Sequence, residues 1–168
     1  MKAYIGIDNG VTGSIAFIGD DKSWFRPVPT HKEQSYIKKK GNITRIDWMA
    51  LDVMLVHCVS SWGNPKYVRV FIERPMVNST RFKASMSALR ALEATLIAVE
   101  RIGLSYEYVD SKQWQKVMLP QGCKGTPELK AASMAIGTRL FPEHAEAILK
   151  QKDADSLLMA EWARRSGL

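Results

Sequence analysis

Residues 1–28, MKAYIGIDNGVTGSIAFIGDDKSWFRPV, restrict the fold more than any other stretch of the chain. Short apolar runs at 3–8 and 13–18 flank a turn over Gly10–Gly13, and the GDD at 19–21 precedes a third run, Lys22–Val28. Runs this short, punctuated by Gly, Asn and Asp, form hairpins rather than helices. The spacing predicts an antiparallel meander of three strands, stopped by Pro27 and Pro29. One charged residue, Asp8, stands at the end of the first, otherwise apolar, strand.

The polar and basic stretch THKEQSYIKKKGNITR at 30–45 reads as a loop or flap. Asp47 is placed to cap a helix carrying Trp48, Leu51, Leu55 and Cys58 at helical spacing. YVRVFIERP at 67–75 is a β-rich run that again ends in an acid, Glu73. A long helix is expected from Thr80 to Ile102, closed by Gly103, then a strand at 104–109. Shorter helices follow over 112–118, 129–140 and 155–165. Alternating helices and strands in the second half add parallel strands to the meander. The expectation is one α/β domain over residues 1–168, with a mixed sheet between helices.

Twenty-four Lys and Arg against 17 Asp and Glu leave a net charge of +7, which favours polyanionic partners. Cys58 and Cys123 are far apart, with no metal-ligand spacing, and read as reduced thiols. No apolar run reaches the roughly 18 residues needed to span a bilayer, and MKAYIGID lacks a signal-peptide layout. No membrane association and a cytoplasmic location are expected.

Asp8 and Glu73 end strands expected to be neighbours, and clefts in α/β sheets open at such ends. Two bare carboxylates there repel unless a cation or proton lies between them, and Mg²⁺ suits a site of few protein oxygens. The structural alternatives are an Asx turn for Asp8 and an Arg partner, Arg74 or Arg81, for Glu73. In KDADSLLMAEWARR, Asp153 and Asp155 precede or open a helix. Residues two apart on a helix point nearly opposite ways, so both face one ion only if Asp153 lies ahead of the helix and Asp155 in its first turn. Plain N-capping by Asp153 is the alternative.

IGIDNGVTGSIAF, FIERP, VDSKQWQKVMLP, GTPELKAASMAIGTRLFP and ADSLLMAEWARR, in this order, resemble the RuvC-type Holliday junction resolvases of the RNase H-like superfamily, bacteriophage members in particular. The resemblance implies a mixed five-stranded sheet flanked by helices and a homodimer that resolves four-way DNA junctions by paired nicks. It implies Asp8, Glu73 and Asp155 as metal ligands, with Mg²⁺, or Mn²⁺, as cofactor and 5′-phosphate products. In such chemistry two divalent ions about 4 Å apart activate the water and neutralise the leaving oxygen. The family's fourth acid usually lies three or four residues before the equivalent of Asp155, where this chain has Lys152 and Gln151, so Asp153 is the nearest substitute. Lys130 aligns with a basic residue near the scissile phosphate; a solvated helix lysine is its other reading.

By the same resemblance MVNSTRFKASM enters the junction centre. Asn78, Ser79 and Thr80 would donate to phosphates, Arg81 and Lys83 supply charge, and Phe82 stack on a base. A capped helix start with Phe82 packed inward is the alternative. Lys112, Lys116, the 38–40 lysine run, Arg45, Arg164 and Arg165 are further candidates for phosphate contact. Of the apolar tracks on the long helix, Ala88, Leu92, Thr95 and Val99 beside Leu89, Leu96 and Ile97, one can pack on the sheet and the other on a twofold mate; core packing alone is the alternative, and the dimer rests on the resemblance. A junction-binding protein without catalysis, or a fragment of an actin-like ATPase sharing GIDNGVTGS, are the rival functions; the latter needs two lobes where 168 residues supply one.

Overall fold

The computed structural model describes residues 2–36 and 41–168. The meander is present as β1 (Ala3–Ile7), β2 (Ser14–Ile18) and β3 (Ser23–Pro27). β6 (Val68–Glu73) and β7 (Ser105–Val109) complete a five-stranded sheet in the order β3-β2-β1-β6-β7. β1 pairs antiparallel with β2 and parallel with β6, and β6 pairs parallel with β7. This is the mixed sheet expected from the alternation of elements.

The stretch read as a loop is a hairpin. β4 (Thr30–Gln34) and β5 (Asn42–Ile46) pair antiparallel in a separate two-stranded sheet, and β5 packs on the long helix α2 (Phe82–Arg101). Four of the five β4 residues, THKEQ, are exposed, so no apolar alternation marks the strand. The lysine run at 38–40 lies outside the described residues. α1 (Trp48–Trp62) starts at the expected cap, where Asp47 Oδ1 accepts the Ala50 amide at 3.1 Å. α2 ends before Gly103, whose φ of 74° is the left-handed conformation that favours glycine.

α3 (Ser111–Met118), α4 (Gly125–Leu140), the seven-residue α5 (Ala145–Gln151) and α6 (Asp155–Arg165) follow. The alternation of β1 divides the core. Ala3, Ile5 and Ile7 pack with Leu51 and Leu55 of α1 and Ala98 and Val99 of α2. Tyr4 packs with Phe71, Trp114 and the α6 residues Leu157 and Leu158 on the other face. Each fully buried Ile contributes about 1.5–3 kcal/mol, enough in sum to hold β1 between two helical layers. No helix among the described residues is long and apolar enough to cross a membrane.

Candidate metal centre

Register places the first two acids. Ile7 stands opposite Ile72 in the parallel β1–β6 pair, so Asp8 and Glu73 come next at the same level. Period-two alternation turns Asp8 to the face of Tyr4 and Gly6, and Glu73 to the face of Phe71. That is the face covered by α6.

Gly6 lets α6 approach. A Cβ there would collide with the Ser156 carbonyl oxygen and press on the Ala160 amide. The buried Ser14 and Ser156 hydroxyls share a hydrogen bond of 2.8 Å, tying the first turn of α6 to the start of β2. α5 ends at Lys152 in a left-handed conformation, φ 67°, and α6 begins at Asp155. Asp153 therefore lies ahead of the helix and Asp155 in its first turn, the one arrangement that turns both toward a common point. Ligand oxygens of Asp8, Asp153 and Asp155 all lie within 4.8 Å of one another. The N-cap residue Ala154 offers no side-chain cap; Asp153 accepts the Asp155 amide, while its other oxygen, Oδ1, has no partner.

Glu73 stands outside this triplet and against Asp8, to which its carboxyl is hydrogen-bonded. It has no ion pair among the described residues: Arg74 binds Asp110 at 3.1 Å and lies over the Tyr108 ring. Burial, then the charges of Asp155 and Asp153, raise the Asp8 pKa far above the carboxylate range. Burial and the neighbouring Asp8 raise Glu73 in the same way, so the pair retains a proton. Burial lifts Asp155 to about 6 against a hydrogen bond from Ser133, and raises Asp153 against the pull of Lys130.

Asp153 is 2% exposed, and its Oδ1 has no hydrogen-bond partner. Its Oδ2 meets the half-exposed Lys130 ammonium at 3.4 Å. A buried carboxylate oxygen without a donor is costly, and the neighbouring acidic groups add to the cost. A hard divalent cation taking oxygen ligands removes both penalties, so the residues present fit such an ion.

Two supporting residues escaped the sequence reading. The buried Ser133 hydroxyl donates to Asp155 Oδ1 at 2.5 Å and accepts the Ala154 amide at 3.0 Å. Gln151 Nε2 donates to the Thr12 carbonyl at 2.8 Å and the Gly13 carbonyl at 3.2 Å, joining the end of α5 to the turn after Asp8. The small pair Ser133 and Gly137, one helical turn apart, was the available signal, since Ala154 packs where a Gly137 side chain would be.

A cleft of about 330 Å³ opens beside Asp8 and Glu73, lined also by Asn78, Arg81 and Ser111. Asn78 caps a short 3₁₀ turn over Ser79–Arg81: its Oδ1 accepts the Thr80 amide at 2.9 Å and the Thr80 hydroxyl at 2.7 Å. Phe82 is 67% exposed, not packed inward. Lys83, Lys112 and Lys116 are exposed, the latter two one turn apart on α3. Arg164 and Arg165 share the one carboxylate of Glu161, and Arg45 pairs with Glu33, so each of the three is already engaged by an acid.

No protein-family model and no curated protein matches the chain. Among solved structures it is similar to T. thermophilus RuvC in complex with a Holliday junction substrate: 12% identity, 99% of this chain and 97% of that one, TM-score 0.57. The fold is RNase H-like, as in RuvC. A further Thermus thermophilus RuvC structure matches at 15% identity over 98% of this chain and 96% of that one, TM-score 0.49. The yeast mitochondrial Holliday junction resolvase Ydc2 matches at 14% identity over 96% and 77%, TM-score 0.46. Within the RNase H-like fold of this chain, Asp8, Asp153 and Asp155 form a cluster consistent with a divalent metal site.

Proposed function

We propose that residues 1–168 form one nuclease domain, a divalent-metal-dependent endodeoxyribonuclease that nicks branched DNA, four-way junctions included. The observation that carries this reading is the buried, unpartnered Asp153 Oδ1 within the Asp8–Asp153–Asp155 triplet. The RuvC of like fold that holds a Holliday junction, and the excess of cationic residues here, support DNA as the polyanion.

Mg²⁺ or Mn²⁺, held by these carboxylates, would supply Lewis-acid activation of water and charge neutralisation at the phosphoryl oxygens. Asp8 would be the central ligand, since it lies against Glu73 and within reach of Asp153 and Asp155. Ser133 holds the Asp155 carboxylate in place by donating to its Oδ1. The Lys130 ammonium, at the rim beside Asp153, is placed to take a phosphate oxygen. Arg81 and Asn78 line the Glu73 side of the cleft and position the strand from there. Lys112 and Lys116 extend the cationic surface along α3, and the exposed Phe82 offers a face for a base.

The functional unit is a homodimer, which matches two sites to the two equivalent strands of a four-way junction. Leu89 and Ile97, 45% and 43% exposed two turns apart on α2, offer the apolar contact. The test compares four-way, forked and linear DNA in Mg²⁺ and in Mn²⁺. Wild type should cleave the branched substrates, while Asp8→Asn keeps binding within about threefold and loses cleavage by at least about 10³-fold. Binding without cleavage by wild type in either metal would leave only a junction-binding protein.

A further inference from the structure

β3 is an edge strand, and a groove of about 800 Å³ runs along it between α1 and α5. Trp24, Pro29 and Met54 make its floor apolar, and Arg26, His57 and Lys150 stand along its rim. No Asp or Glu lines it. None of the three rim side chains has a carboxylate partner within ion-pair distance among the described residues. The cleft at the opposite end of β2 and β3 is different: there Arg164 and Arg165 pair with Glu161, and Asp20 and Asp21 in the same lining offset the remaining positive charge. An arginine and a lysine left unpaired around one depression repel until an anion lies between them.

One end of the groove is tied by backbone hydrogen bonds to the turn that follows Asp8. Pro27 is paired with Ser14, whose carbonyl accepts the Asp8 amide at 2.9 Å, and the Val28 amide donates to the Gly13 carbonyl at 3.0 Å. On the other wall, Lys150 precedes Gln151, which holds the same turn. β3 is two strand spacings from β1, about 10 Å. Trp24 stacks on Phe17 with centroids 6.4 Å apart and planes inclined by 8°, so the indole is held rigid at the floor.

A fixed aromatic ring on an apolar floor between cations is the chemistry that takes single-stranded nucleic acid, whose bases stack while the backbone follows the charge. A duplex keeps its bases inside and has little use for such a floor. We infer that this groove binds a single-stranded DNA segment, so that the preferred substrates are branched DNAs with a single-stranded arm, forks and flaps above fully paired junctions. The inference rests on the nuclease reading for its substrate and on the groove for its site.

The test titrates full-length protein with a labelled oligothymidylate of roughly fifteen nucleotides, free of divalent cation, by fluorescence anisotropy at several salt concentrations. Arg26→Glu with Lys150→Glu should weaken binding about tenfold or more, and flatten the log–log salt dependence by about 1.4, two contacts of about 0.7 each. Lys22→Glu with Lys66→Glu changes net charge equally away from the groove and should cost less than about threefold. Equal losses in the two double variants, or no loss in the groove variant, would overturn the groove as a strand site. Saturable binding there of a glutamate-rich peptide, with no affinity for oligothymidylate, would overturn it in favour of a protein partner. In Mg²⁺, wild type should cut a fork faster than a four-way junction, and the groove variant should lose that preference. If wild type cuts no branched DNA while the oligothymidylate results hold, the nuclease reading falls and the groove stands. If wild type cuts and the groove variant keeps both affinity and preference, the groove alone falls.

Discussion

The Ser133 hydroxyl has one proton and two lone pairs, and the site uses both kinds of group: the proton goes to Asp155 Oδ1 and a lone pair takes the Ala154 amide. Removing it frees the Asp155 carboxylate to rotate and strands a buried amide. Ser133→Ala should lower Mn²⁺ affinity about 10–100-fold and stability by about 1–3 kcal/mol. A calorimetric dissociation constant within threefold of wild type would show that Asp155 needs no such hold. Asp8 and Glu73 were legible in the sequence because strand alternation and parallel register are nearly enough to place them. Asp155 was legible because a helix start faces its first turn to the sheet end. Ser133 was not: a serine within a helix gives no sign of which carboxylate it meets, and that partner lies 22 positions away.

α6 crosses β1 at Gly6 with almost no space between the backbones, and this contact sets the height of Asp155 above Asp8. Gly6→Ala forces a methyl group against the Ser156 carbonyl and lifts the helix start. Overpacking of this kind costs about 1–3 kcal/mol, and a displacement near 1 Å at a catalytic group costs about 10²-fold in rate. Denaturant unfolding and junction cleavage of the purified variant read the two effects; normal cleavage at normal stability would mean that the crossing does not position the acid. Long or strongly patterned elements were readable: β1 to β3, α1, β6, α2 and α6 fall within a few residues of expectation. The β4–β5 hairpin was not, because β4 has an almost wholly exposed polar sequence and is paired only with β5. Seven-residue α5 is too short for a helical period to show. Yet both support elements beside the acidic cluster, the hairpin by packing on α2 and α5 through Gln151, which holds the turn after Asp8.

The whole molecule, at a net charge of +7, concentrates four carboxyl groups at one end of its sheet, and all four have raised pKa values. A carboxyl group raised in the folded state binds protons that the unfolded chain has released, so stability falls as pH rises from the unfolded value, about 4. The loss continues through about 6, where Asp155 ionises, and beyond it as the Asp8–Glu73 pair loses its proton. Metal-free protein should therefore melt at progressively lower temperature from about pH 5 upward, and saturating Mg²⁺ should flatten the curve by replacing those protons. A melting temperature that rises over the same range without metal would contradict the buried cluster. Most direct is Mn²⁺ titration by calorimetry near pH 7.5 in two buffers of different ionisation enthalpy, on wild type and Asp8→Asn. The predicted result is saturable binding with proton release in wild type and at least about tenfold weaker binding in the variant. Undiminished binding to Asp8→Asn, or none to wild type at about 10 mM Mn²⁺, would contradict it.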